Sequence, residues 1–266
     1  MTINRINEKF KHLKENNQKG LITFITAGDP NLDKTIELVL AMETAGADIV
    51  ELGVPFSDPS ADGPVIQQSS LRALQAGTNL VKILDIVKLI REKSQIPLVL
   101  MTYYNPVLHL GLAEFCHQAS IAGVDGLIIP DLPYEESFAI LKFTNEHNLN
   151  LIPLVAPTTP PDRIKLITGE AKGFIYCVSL TGVTGVRDSL GVDISDFMEN
   201  VRAATDVPVA VGFGISNPEQ AAAIAKVSDA VIVGSALVKI VGEFGDSSET
   251  VDNITTQVKA LKASIY

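Results

Sequence analysis

Glu51 lies inside the apolar run IVELG and is the one charged residue in the interior of any strand-like run of this 266-residue chain. An unpaired carboxylate buried there costs several kcal/mol or takes up a proton, and no strand supplies a lysine or arginine to neutralise it. A carboxyl with a raised pKa near the end of a strand suits proton transfer at neutral pH. The competing reading is that Glu51 accepts hydrogen bonds from backbone or tyrosine hydroxyls and merely holds the loop that follows. That loop, GVPFSDPSADGPVIQ, carries Asp58 and Asp62 in Asp-Pro and Asp-Gly settings that are ordinary turn chemistry. Asp58 is read as a turn residue. Asp62 could face Glu51 across a substrate, and two carboxylates in different surroundings can divide acid and base roles, Glu51 the drier and Asp62 the wetter.

Other candidates are less specific. Asp131, directly after GLIIP, reads as a cap for the next helix. Tyr103 and Tyr176 could be core aromatics or substrate contacts, and Phe24 and Met101 core or apolar pocket wall. Late in the chain, Thr181-Gly182-Val183-Thr184-Gly185, Gly212-Phe213-Gly214-Ile215-Ser216 and Val233-Gly234-Ser235-Ala236 each follow a strand-like run. Glycines let bare N–H groups approach an anion, and barrels commonly hold phosphate in their last two strand-to-helix loops. Tight turns are the alternative use of the same glycines.

The four histidines, His12, His109, His117 and His147, lack metal-ligand spacing, so no metal is expected. There is no GxSxG elbow, no strand lysine for a Schiff base and no dinucleotide fingerprint after the first strand. What remains is acid–base chemistry on a small phosphorylated substrate with a substantial apolar part.

These residues need elements to position them. Eight apolar, β-branched runs recur: Leu21–Thr26, Ile49–Gly53, Leu98–Thr102, Gly126–Ile129, Leu151–Val155, Phe174–Ser179, Pro208–Gly212 and Ala230–Gly234. Their near-continuous hydrophobicity is that of parallel strands covered on both faces. With amphipathic stretches between them they predict an α/β protein, a single-domain (β/α)8 TIM barrel over residues 1–266. Asn31, Asp162 and Ser216 or Asn217 are expected at helix starts. A junction repeats, AGAD before IVELG and AGVD before GLIIPD, with a glycine able to end each helix. Ile3, Ile6, Phe10 and Leu13 have helical spacing, so residues 1–20 supply an extra N-terminal helix that caps one mouth of the barrel. The connections from Val54 to about Leu80 and from Leu180 to about Phe197 are longer than structure requires and read as active-site loops.

Twenty-one basic residues stand against 31 acidic ones, a formal charge of −10, which disfavours nucleic acid or an anionic membrane as partner. Hydrophobic residues at 46% and mean hydropathy of +0.25 suit an ordered globule. The polar first 20 residues do not resemble a secretory signal, no run of 18 apolar residues occurs, and the two cysteines lack CxxC spacing, so a cytoplasmic location is expected.

The run Glu51-Leu52-Gly53-Val54-Pro55-Phe56-Ser57-Asp58-Pro59, continued by Ala61-Asp62-Gly63-Pro64, closely resembles the tryptophan synthase alpha chain family. FITAGDP, PDLPYEES, TGVTG, GFGIS and VGSALVKI follow the same resemblance across essentially the whole chain. It implies a lyase of tryptophan biosynthesis that cleaves indole-3-glycerol phosphate to indole and glyceraldehyde 3-phosphate without metal or Schiff base. Glu51 would protonate the indole ring carbon and then assist deprotonation of the glycerol hydroxyl, and Asp62 would hold the indole N–H. Phe24, Met101 and Ile232 would wall the indole pocket, and Tyr103 and Tyr176 would lie near the reacting end. Gly185, Gly214, Gly234 and Ser235 would contact phosphate, while Thr184 would engage the catalytic Asp as its loop closes.

The resemblance also implies a beta chain partner carrying pyridoxal phosphate in an α2β2 heterotetramer, with no cofactor in this chain, and the segment Asp58–Pro64 is a candidate for part of the contact. The residues by themselves leave other readings open: a phosphate-binding isomerase with Glu51 as its only base, a stand-alone indole-producing lyase, or a non-enzymatic regulatory subunit.

Overall fold

The computed structural model describes residues 4–178, 193–212 and 214–266. Its strands are β1 (Gly20–Thr26), β2 (Ile49–Gly53), β3 (Leu98–Met101), β4 (Gly126–Ile128), β5 (Asn150–Leu151), β6 (Leu154–Val155), β7 (Ile175–Val178), β8 (Val209–Gly212) and β9 (Ala230–Val233). All pairings are parallel, in the order β5-β4-β3-β2-β1-β9-β8-β7-β6. Seven of the eight expected strands form as continuous elements.

The fifth run is divided. Asn150 and Ile152 donate to the carbonyls of Asp125 and Leu127 on the side of β4, whereas Pro153 accepts from Tyr176 N–H at 3.0 Å on the side of β7. Proline has no N–H to give its neighbour, so the ladder lapses at 153. The two ends of the sheet are therefore halves of one run, and the α/β chain curls into a TIM barrel.

Strand alternation sorts the core. Ile22, Ile49, Val99, Ile128, Ile152, Phe174, Tyr176, Ala210 and Ile232 face the barrel interior, while Leu21, Ile25, Val50, Leu52 and Leu100 face the helices. Helix α1 (Arg5–Glu15) sends Ile6, Phe10 and Leu13 into the inner cluster. It closes the mouth where the strands begin, leaving the opposite mouth for chemistry.

The surrounding helices are α2 (Leu32–Ala45), α3 (Pro64–Gln75), α4 (Leu80–Arg91), α5 (Tyr104–Leu110), α6 (Leu112–Ala122), α7 (Tyr134–Glu146), α8 (Pro161–Gly169), α9 (Asp193–Ala204), α10 (Pro218–Ala225), α11 (Ser235–Phe244) and α12 (Ser248–Ser264). Asn31 and Asn217 cap α2 and α10 as expected, each accepting a backbone N–H. Asp162 instead lies within the first turn of α8, because Pro161 takes the first helical position. The connection from Val54 to Leu80 is half filled by α3, whose buried residues are only Ser69, Ser70 and Ala73.

The repeated junctions share one device. Asp48, Asp125 and Asp229 each precede a strand, and each carboxylate accepts an N–H at the start of the neighbouring strand, at Leu21 (2.8 Å), Leu98 (2.9 Å) and Val209 (2.8 Å). The backbone N–H of each aspartate returns to the carbonyl of that same residue. Cations complete the three clamps: Lys262 and Lys9 on Asp48, Arg91 and Arg5 on Asp125, and Arg202 on Asp229. Gly46 and Gly123, both left-handed, end the helices that lead into the first two.

Candidate active site

Glu51 sits in β2 between Phe24 of β1 and Val99 of β3. It is 0% exposed, and neither carboxylate oxygen has a hydrogen-bond partner among the described residues. A role as a hydrogen-bonded holder of the next loop is thus not what the described residues provide. Burial pushes its pKa up to about 8, because the charged form gives up water and receives nothing in return. At neutral pH this carboxyl is largely protonated.

Two positions further along β2, Gly53 pairs with Thr26 on one side and Met101 on the other. Above this layer opens a cleft at the strand C-terminal mouth, lined by Phe24, Thr26, Gly53, Val54, Asp62, Ile66, Ser70, Met101, Thr102, Tyr103 and Pro130. Four residues singled out from sequence, Phe24, Asp62, Met101 and Tyr103, therefore share one cleft. Thr26, Ile66 and Ser70 were not anticipated. Thr26 could have been found from the inward alternation that begins at Phe24. Ile66 and Ser70 stand four residues apart on α3, a helix the apolar pattern does not announce.

Asp62 is half-buried and carries its carboxylate toward Tyr103, whose hydroxyl donates to Oδ2 at 3.1 Å. The same hydroxyl accepts the N–H of Ala61 at 2.9 Å. Burial raises the pKa of Asp62 and the Tyr103 hydrogen bond pulls the other way. Tyr103 is itself pushed up to about 12, chiefly by burial. Tyr176, in β7, is held well above the ordinary tyrosine range by burial and then by the charges of Glu51 and Asp62. The Asp62 carboxylate thus acts on both tyrosines, and Glu51 on Tyr176.

Ile232 is in the inner cluster on β9, paired with Ile22. Gly234 opens α11 without a side-chain cap, and Leu237 and Val238 N–H both return to the Gly234 carbonyl. The first N–H groups of α11, at Ser235 and Ala236, are of the kind a helix end offers to an anion. Gly214 adopts φ +76° and is exposed. Thr184 and Gly185 lie outside the described residues. Asp58 is exposed and accepts from Ser57 Oγ at 2.5 Å, a local turn contact. Asp131 caps a different helix from the one expected: its Oδ1 accepts Tyr104 N–H at 2.9 Å, at the start of α5, while α7 begins after Pro133.

Among the described residues no group of three or more His, Cys, Asp or Glu could hold a metal ion, and no helix is long and apolar enough to cross a membrane.

Comparison with known proteins gives a consistent result. Residues 10–266 match the family model described as tryptophan synthase alpha chain. The tryptophan synthase alpha chain of Thermoanaerobacter sp. (strain X514) is 51% identical over 260 residues, covering 98% of this chain and 99% of that one. That of Geobacter sulfurreducens is 50% identical over 263 residues, covering 99% of each. The crystal structure of tryptophan synthase subunit alpha from Legionella pneumophila superposes with a TM-score of 0.92 at 36% identity and 99% coverage of both chains. A chain of the tryptophan synthase α2β2 complex of Pyrococcus furiosus gives 0.87 at 40% identity, over 92% of this chain and 99% of that one. With a buried glutamate in the second strand and the family model matched from residue 10 to the last, this chain belongs to the tryptophan synthase alpha chain family.

Proposed function

We propose that this chain is the alpha subunit lyase of tryptophan synthase, cleaving indole-3-glycerol phosphate to indole and D-glyceraldehyde 3-phosphate in L-tryptophan biosynthesis. The observation that carries this reading is Glu51: a carboxyl with no hydrogen-bond partner among the described residues and a pKa near 8 is an acid at neutral pH and becomes a base once it has given its proton away. In the retro-aldol step Glu51 delivers its proton to the indole ring carbon that bears the glycerol chain, leaving a cationic ring. Asp62, ionised, accepts the indole N–H and stabilises that charge. The Glu51 carboxylate then takes the proton of the adjacent glycerol hydroxyl, the carbon–carbon bond breaks toward the ring, and an aldehyde forms. Glu51 ends protonated as it began.

Phe24, Met101 and Ile232 are assigned to the apolar wall, with Tyr103 and Tyr176 near the reacting end. Gly185, Gly214, Gly234 and Ser235 are assigned to the phosphate. The uncapped start of α11 supports the last two, because a helix N-terminus holds an anion without needing net positive charge. Thr184 is assigned to loop closure over Asp62.

We extend to this chain the α2β2 assembly of the Pyrococcus furiosus relative, with a beta chain as partner and residues 58–64 as part of the contact. Pyridoxal phosphate is assigned to that beta chain. A cytoplasmic setting fits the two free thiols, Cys116 and Cys177, both buried. Residues 1–266 are read as one barrel domain, with residues 1–20 as its capping segment.

The test is indole release from indole-3-glycerol phosphate by wild type and Glu51→Gln, each with and without a beta chain. Weak wild-type activity, stimulated by the beta chain and lost in the variant, is expected. A folded wild type that releases no indole even with its partner refutes the reading.

A further inference from the structure

Phe56 belongs to neither hydrophobic cluster of the barrel, yet it is half-buried. Its ring stacks on Tyr103, with centroids 5.1 Å apart and planes inclined by 28°. Tyr103 also stands outside both clusters, although only 5% of it is exposed. The stack therefore stands apart from the two main clusters of the barrel, between the β2 loop and the end of β3.

The Tyr103 hydroxyl is fully engaged with the loop that carries Phe56. Its single proton goes to Asp62 Oδ2 and it receives the Ala61 N–H. A phenol has no second proton, so while these bonds stand Tyr103 has none left to donate to a substrate. One side chain thus fastens the loop twice: Phe56 lies on its face, and Ala61 and Asp62 are held at its rim. A change of side-chain rotamer would carry the hydroxyl away from Asp62, and Phe56 stacked on the ring opposes such a change.

We propose that Phe56 is a positioning residue which, by stacking on Tyr103, holds the phenol hydroxyl against Asp62 and Ala61 and so fixes the direction in which Asp62 meets the substrate. This rests on the reading of Asp62 as the group that meets the indole N–H. A carboxylate misplaced by about 1 Å can lose on the order of a hundredfold in rate, so an aromatic that touches no substrate can govern turnover.

The test is a double-mutant cycle on the full chain without a partner, which keeps docking effects out of the measurement. Steady-state indole release and thermal melts are recorded for wild type, Phe56→Leu, Tyr103→Phe and the double variant, with Phe56→Tyr as the conservative control. Phe56→Leu is expected to lower kcat by about tenfold or more, with a smaller change in KM and little change in melting temperature. Phe56→Tyr recovers most of that loss because it keeps the stacked ring. In the Tyr103→Phe background, Phe56→Leu costs little more, since the hydroxyl it positions is already gone.

Additive losses, or a Phe56→Leu enzyme with wild-type kcat, overturn the proposal while leaving the lyase reading intact. A folded wild type that makes no indole removes the lyase reading, and this inference falls with it. If the leucine variant does not fold, Phe56→Met takes its place in the same cycle.

Discussion

Phe24 fills the space that a side chain at Gly53 would need: a Cβ built there would lie 2.5 Å from Phe24 Cζ and 2.8 Å from Cε2. The two residues face inward on adjacent strands, Gly53 one inward step beyond Glu51 and Phe24 level with Glu51. Glycine at 53 is what allows an aromatic ring to lie over the buried glutamate and form one wall of the cleft.

Gly53→Ala is therefore expected to push the Phe24 ring into the cleft while leaving the barrel folded. Such overpacking costs about 1–3 kcal/mol of stability, and the displaced ring narrows the cleft, so KM should rise while kcat changes less. Adding Phe24→Leu to Gly53→Ala should recover part of the loss. Steady-state indole release by the three variants decides it, and an unchanged KM in Gly53→Ala would show that the ring has another way to move.

Glu51 should make the fold less stable as the pH rises. Its folded pKa of about 8 lies above the ordinary glutamate value, so the unfolded chain ionises first. The associated stability is complete below the ordinary glutamate range and is lost as pH rises through about 8, beyond which the deficit is constant. Glu51→Gln removes the penalty. Its melting temperature should match wild type near pH 4 and exceed it increasingly toward pH 8; parallel curves across that range would mean Glu51 is paired in solution.

Activity should follow a bell whose two limbs come from different carboxyls. The alkaline limb reports loss of the Glu51 proton and falls near pH 8. The acid limb reports protonation of Asp62 and lies above the ordinary aspartate range, because burial raises that pKa. Tyr103→Phe removes the hydrogen bond that pulls it down, so the acid limb should move to higher pH while the alkaline limb stays. The pH dependence of kcat/KM for the two proteins measures both shifts.

Much of this was legible in the sequence, for reasons that differ by element. Buried parallel strands wrote themselves as unbroken apolar runs, and Glu51 stood out because nothing else charged interrupts one. Helix α3 did not stand out, since it buries Ser69, Ser70 and Ala73 and so has no apolar stripe. With α3 hidden, Ile66 and Ser70 could not be placed at the cleft. The fifth strand read as one run because apolarity is blind to a missing proline N–H. Asp131 looked like a cap for the helix that follows it, and only tertiary structure reveals that Tyr104 N–H is its partner. The echo AGAD and AGVD was visible as a repeat, but its purpose, a carboxylate that starts the neighbouring strand, is a contact across strands and appears only on folding.

That shared device gives a last comparison in which the backbone contact is the same and the burial of the ion pair is not. Asp125 and Asp229 each accept the first N–H of a neighbouring strand; Asp125 meets Arg91 and Arg5, and Asp229 meets Arg202. The side chains of Asp125 and Arg91 are 3% and 9% exposed, whereas those of Asp229 and Arg202 are 33% and 40% exposed. Removing Asp125 leaves Arg91 charged in a dry place and strands the Leu98 N–H, which costs about 3–5 kcal/mol for a buried pair broken on one side. Removing Asp229 also strands the Val209 N–H, but it leaves Arg202 where water can replace the carboxylate, so the loss of the pair itself is only about 1 kcal/mol or less. Urea denaturation of Asp125→Ala and Asp229→Ala should therefore show a much larger loss for the first. Equal losses would mean that the backbone bond to the neighbouring strand, common to both, carries the stability and the ion pairs are incidental.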